Sequence, residues 1–192
     1  MALLNTGDGY GSLTKVCHWL VVVLFAFQFA AANVMLRLDD GGAFLGLSQD
    51  VYYNWHKSIG LVLLTLVVLR IAWRKLTPLP DWAPTLTPAE RSLSHWNETL
   101  LYWCMFLMPV TGFLYVMAGD YGIMLFGRYA LPNPIGKVEW LAAIARVVHI
   151  VTSYVIVIIV GSHVSLGLKH HLFDRDGFLY RMMPFAKPAS GD

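Results

Sequence analysis

Four of the seven histidines in this 192-residue chain, His18, His56, His149 and His163, fall inside long apolar runs. An imidazole held in hydrocarbon is costly, so it is read first as functional. An interhelical hydrogen bond would account for any one of them. Four together, at matched depths, ask for more. His149 and His163 are 14 residues apart. On a helix that spacing is a rise of roughly 21 Å and a rotation that returns to within about 40° of the same face. One helix therefore presents two imidazoles, at two levels.

The partners follow from the segments that carry them. A spanning helix needs about 20 mostly apolar residues, and residues 16–36, 52–73, 96–118 and 140–168 meet that need. Successive spans run in opposite directions. His18 comes early in the first and His56 early in the second, so they lie at opposite levels. His149 is the expected partner of His56, and His163 of His18. Two imidazoles on facing helices suit an iron porphyrin, which brings four nitrogens and leaves two axial positions to the protein. A zinc site would ask for three or four protein ligands. Filled axial positions favour electron transfer over oxygen binding at iron. The expectation is two non-covalent haem b groups, each held by one histidine pair. The sequence has no CxxCH, which excludes covalent c-type attachment.

Composition agrees with a lipid setting. The chain is 57% hydrophobic and 14% charged, against about 25% charge in soluble domains, and its mean hydropathy is +0.56. A net charge of +2, with no basic stripe, argues against a nucleic-acid partner. Cys17 and Cys104 sit in apolar segments and read as small packing residues. The expected fold is all-α: one transmembrane four-helix bundle over residues 1–192, with the two haem groups stacked across the membrane. Basic residues set its orientation. Lys15, Arg70, Arg74, Lys75, Arg91, Lys169, Arg175, Arg181 and Lys187 fall on one side, and Arg37, Lys57, Arg128, Lys137 and Arg146 on the other. The richer side is the cytoplasm, which puts both termini there. Trp19, Tyr52, Tyr53, Trp55, Trp73, Trp82, Trp96 and Trp140 flank the spans as interfacial anchors. Four prolines between residues 78 and 88 mark a loop, and so does the Gly/Pro-rich stretch 119–136.

Other polar residues have two readings each. Lys57 adjoins His56, and Arg146 lies one turn before His149. Both are candidates to neutralise haem propionates, or simply interfacial cations. His170 shares the face of His163 and is a further candidate for propionate contact. His95, at the start of the third helix, could bond a quinone carbonyl or relay a proton; an interfacial histidine with no ligand is the plain alternative. Arg70, Arg74 and Lys75 read as the stop signal of the second helix, and Asp174 and Asp176 as solvated charges. Gly60, Gly112, Gly161 and Gly167 leave room for a macrocycle edge or for close helix packing.

Several stretches carry a resemblance: "KVCHWL" at 15–20, "WHKSIGLVLL" at 55–64, "RIAWR" at 70–74, "VVHIV" at 147–151 and "GSHVSLGLKHHLFDRDGFLYRMMP" at 161–184. With these the chain resembles the prokaryotic cytochrome b561 family of four-helix, di-haem membrane proteins. The resemblance implies His18, His56, His149 and His163 as axial ligands and the bacterial inner (cytoplasmic) membrane as location. Some members of that family are superoxide oxidases, which take electrons from superoxide at the periplasmic face and reduce ubiquinone. Others are cytochrome b subunits fed by a periplasmic protein such as a hydrogenase. Where some relatives have a second histidine at the start of the third helix, this chain has Glu98. Three functions remain open on sequence: a superoxide:ubiquinone oxidoreductase, an electron conduit for a separate redox partner, and a small transporter or metal-binding membrane protein whose histidines carry no haem.

Overall fold

Away from water a long apolar run must satisfy its backbone internally, and the helix does so within one segment. The computed structural model describes residues 2–7, 9–83 and 85–183, and it is helical: α1 (Ser12–Met35), α2 (Gln49–Leu76), α3 (Pro88–Ala118) and α4 (Glu139–Lys169). Beyond α4 come a π-helical turn, His170–Asp174, and a 3-10 turn, Phe178–Arg181. Lys187 and Pro84, used above in the charge count and the loop assignment, lie outside the described residues.

Among the described residues, three helical stretches are long and apolar enough to cross a membrane: Ser12–Met35, Pro88–Ala118 and Glu139–Asp174. This is a membrane protein of mostly helical build. α2 is not among the three. Its apolar run is confined to Ile59–Leu69, between His56–Lys57 and the Arg70, Arg74, Lys75 group. Large apolar side chains stand exposed along α4, with Ile158 at 71% and Val151 at 54%. Surface of that kind is matched by hydrocarbon rather than water.

α3 begins eight residues before the position read from hydropathy, because a capping box starts it. Thr87 precedes Pro88, whose missing N–H costs nothing at the first helical position. The Thr87 N–H donates to Glu90 Oε2 (2.9 Å), and the Glu90 N–H donates to Thr87 Oγ1 (3.3 Å). Each residue satisfies a backbone donor of the other.

The chain divides into two compact units, and each takes a part of all four helices. The first gathers the chain up to Leu20, then Val68–Cys104, then the chain from Tyr154 on. Its N-terminal segment is clasped by Asn5, only 6% exposed. Asn5 Oδ1 accepts from the Gly11 N–H (2.9 Å) and the Thr14 hydroxyl (2.7 Å), while Nδ2 donates to Thr77 Oγ1 (3.3 Å) and the Pro78 carbonyl (3.0 Å). The start of α1 is thereby tied to the end of α2.

The second unit comprises Val21–Val67 and Met105–Ser153. One apolar cluster packs Ala31, Met35 and Tyr52; another packs Val116, Met117 and Ile123. Tyr52 is thus core rather than an interfacial anchor, and its hydroxyl donates to the Phe44 carbonyl (3.1 Å). Two short hairpins close the loops, β1 (Ala43–Phe44) with β2 (Leu47–Ser48) and β3 (Met124–Leu125) with β4 (Tyr129–Ala130). The first turns through Leu45 and Gly46, both with positive φ (50° and 76°), the backbone a two-residue hairpin loop requires.

Candidate metal centre

Each unit contains one pair of facing histidines. In the first, the His18 and His163 ring centres are 6.4 Å apart at 48°. In the second, His56 and His149 are also 6.4 Å apart, at 80°. The pairing is the one that depth along the helices predicts.

Hydrogen bonds fix the helices that carry the first pair. The Trp73 indole donates to Thr14 Oγ1 (3.0 Å), one turn before His18, and the Asn5 clasp acts in the same direction. This sets α1 against the end of α2 and brings Arg70 onto His18. Arg70 Nη2 donates to His18 Nδ1 (3.1 Å), and Arg70 Nε donates to the Tyr102 hydroxyl (3.1 Å). The Tyr102 ring also lies 5.6 Å from the Arg70 guanidinium and 5.5 Å from that of Arg74. Arg74 grips Glu98 with two contacts, 2.6 and 2.8 Å, the two-pronged geometry a guanidinium favours. Arg70 has no carboxylate partner among the described residues. On the other side of the pair, Asn97 of α3 donates to the Ile159 carbonyl (3.3 Å), one turn before His163.

The second pair rests on different chemistry. His149 Nδ1 donates to the Met108 carbonyl (2.9 Å), with Thr111 Oγ1 at 3.4 Å. A carbonyl only accepts, so Nδ1 carries the proton and Nε2 keeps its lone pair for a metal. Pro109 lies next to Met108 inside α3 and supplies no N–H to the helix ladder. Gly112 makes room for the ring: a Cβ there would stand 2.9 Å from His149 Cε1. His56 is set by Gln28, whose Nε2 donates to the His56 carbonyl (2.9 Å). Two residues on, fully buried Ser58 accepts the Phe126 N–H (2.7 Å), which seats the second hairpin on α2. His56 Nδ1 is buried with no hydrogen-bond partner among the described residues.

The remaining candidates are dispersed. Lys57 Nζ donates to the Gly122 carbonyl (3.0 Å). Arg146 is exposed and lines a cavity of about 350 Å³ with Tyr115, Tyr121 and Lys137. His95 is exposed, edge-on to Trp96. His170 is fully buried, and its Nδ1 lies 2.9 Å from Asp174 and 2.8 Å from Asp176 carboxylate oxygens. The Asp176 side chain is 4% exposed, so it is no solvated charge. Among the described residues, nothing lies within 4 Å of a Cβ built at Gly161, and one built at Gly167 meets Leu179. Sequence reasoning missed Arg70, Tyr102, Met108, Thr111 and Gln28. An arginine within "VVLRIAW" and a Pro-x-x-Gly inside a span were the available signals.

Two metal–imidazole bonds of about 2.0 Å, plus the half-widths of the rings, place ring centres roughly 6 Å apart. Both pairs fit one metal atom between them. Each offers two imidazoles, too few for structural zinc and enough for a macrocycle that brings four nitrogens of its own. A family model for prokaryotic cytochrome b561 matches residues 9–185. The chain belongs to that family. Cytochrome b561 proteins of this kind are haem b proteins of membrane electron transfer. The chain is 28% identical to "Cytochrome b561 homolog 2" of Escherichia coli (strain K12), across 95% of each chain. It is 26% identical to "Probable superoxide oxidase CybB" of Yersinia pestis, across 91% of this chain and 96% of the relative. "Cytochrome b561 homolog 1" of Escherichia coli (strain K12) is 20% identical over 88% of this chain.

Proposed function

We propose that this b561 protein is a single four-span domain that holds two haem b groups, one between His18 and His163 and one between His56 and His149. It passes electrons from a periplasmic donor to the membrane quinone pool. The observation that carries the reading is the identical 6.4 Å separation in two independent pairs. Haem, when bound, supplies one-electron chemistry. The four imidazoles hold it, and the Met108 carbonyl fixes the His149 tautomer that leaves Nε2 for iron. α2 serves as the fourth span, both termini face the cytoplasm, and the membrane is the bacterial inner membrane.

The donor we assign is superoxide, on the strength of the relative described as a probable superoxide oxidase, and the acceptor we assign is ubiquinone, as the family resemblance in the sequence implies. Pyridine haemochrome analysis of the purified chain in detergent tests the cofactor. Two haem b per chain is the expected result; protein that stays colourless even after haem addition removes the reading. Superoxide and oxidised ubiquinone supplied to the pure protein test the reaction. A rate no higher than buffer assigns the chain the conduit role, with a protein donor in place of superoxide.

A further inference from the structure

The first histidine pair carries a cation that pairing alone does not explain. Arg70 is half-buried on a helix that runs through the bundle, where an unpaired charge is expensive. Its neighbour Arg74 has Glu98, yet the partners of Arg70 itself are an imidazole nitrogen and a phenol oxygen, both neutral. Two guanidiniums flank the Tyr102 ring and one carboxylate serves them. Among the described residues, one positive charge is left over beside His18.

The bond to His18 also conflicts with ligation. A guanidinium has donors and no acceptor, so His18 Nδ1 accepts from it and the ring proton sits on Nε2. A neutral imidazole that binds iron through Nε2 must carry its proton on Nδ1, which would face an Arg70 N–H donor to donor. His18 cannot serve as such a ligand while Arg70 stays where it is. The guanidinium needs another acceptor within its reach, and a negative one would also meet the surplus charge.

We propose that Arg70, steadied by the Tyr102 hydroxyl, is a carboxylate-binding subsite for a propionate of the tetrapyrrole held by His18 and His163. On loading, Arg70 exchanges His18 Nδ1 for the propionate, and His18 is freed to adopt the ligating tautomer. This rests on the haem reading above. It gives Arg70 a partner by chemistry: a carboxylate is planar and takes two parallel N–H donors from a guanidinium, which a lysine ammonium cannot supply in that fork.

The test uses the full-length chain in detergent, reconstituted either with haem b or with its dimethyl ester, in which both carboxylates are masked. The readout is the rate of haem loss to excess apomyoglobin, followed in a His56→Ala background so that only the first pair contributes. If that background does not fold, the slow and fast phases of the otherwise unaltered chain serve instead. With haem b, Arg70→Gln should lose haem at least tenfold faster than its parent, and Arg70→Lys should fall between the two. With the dimethyl ester, parent and Arg70→Gln should release at the same rate, since the cycle then removes both partners of one interaction. Equal rates with haem b overturn the proposal. So does an Arg70→Gln penalty that persists undiminished with the ester, which would place the role of Arg70 on His18 alone. A parent chain that takes up no haem sinks the cytochrome reading itself, a separate outcome.

Discussion

The two histidine pairs share one ring separation and differ in what stands behind the rings. Behind His149 is a carbonyl, which takes the Nδ1 proton and makes the imidazole a stronger donor to metal. Behind His18 is a guanidinium, which offers a proton and a positive charge. Ligand type and spacing set which cofactor a pair can hold. As the structure stands, these outer partners pull in opposite directions, and on the proposed loading only the Met108 carbonyl stays behind its ring while Arg70 turns to a propionate. On the proposed reading, Arg70 cancels the charge of a propionate at the first pair, and a neutralised propionate favours the reduced haem, so the His18–His163 site should accept electrons more readily than the His56–His149 site.

The largest effects come from removing ligands. His56→Ala or His149→Ala should each lower the haem content from two per chain to one, and His18→Ala or His163→Ala should remove the other one. Pyridine haemochrome content with low-temperature spectra reads both. Emptying of the same component by His18→Ala and His56→Ala would break the pairing and the comparison with it. Next is glycine. Gly112→Ala drives a methyl group into His149 and should cost about 1–3 kcal/mol, as overpacking does, with loss of the His149 component in the spectrum. Gly161→Ala meets nothing among the described residues and should leave both components intact and the helix no weaker. A potentiometric titration sharpens the electronic contrast: two midpoints are expected, the higher one belonging to the His18–His163 pair, and Arg70→Gln should draw them together. A gap unchanged by that substitution would remove Arg70 as its cause. The smallest effect is at a helix start. Thr87→Ala undoes the capping box and should cost about 0.5–2 kcal/mol, read as a modest fall in thermal midpoint with both haem components retained.

Much of this arrangement could be read in advance. Four apolar runs gave four helices, and the His149–His163 spacing with the alternation of the helices gave two ring pairs. What stayed hidden did so for physical reasons. Pro88 opens α3, but the prolines around it made 78–88 read as loop throughout, and the Thr87–Glu90 reciprocity was overlooked. The hairpins at 43–48 and 124–130 have two-residue strands, too short for an alternating pattern to register. Arg70 was absorbed into the basic cluster with Arg74 and Lys75, although its position one turn further into the apolar run sets it apart. The contribution of Met108 is a backbone oxygen, and side-chain identity carries no trace of it. Asp174 is exposed, as its reading as a solvated charge has it, but Asp176 is not, because nothing in the sequence announces a widened turn that folds it back onto His170.

That widened turn has a mechanical consequence. Over His170–Asp174 the coil opens to π geometry, and Lys169 reaches both Glu90 and Asp174 at 2.6 Å. Glu90 sits in the first turn of α3, so the lysine ties the foot of α4 to the head of the helix before it. Two ion pairs at its foot oppose rotation of α4 about its own axis, and His163, less than two turns upstream, shares that restraint. Fusions or truncations placed between residues 169 and 176 would strip that rotational restraint.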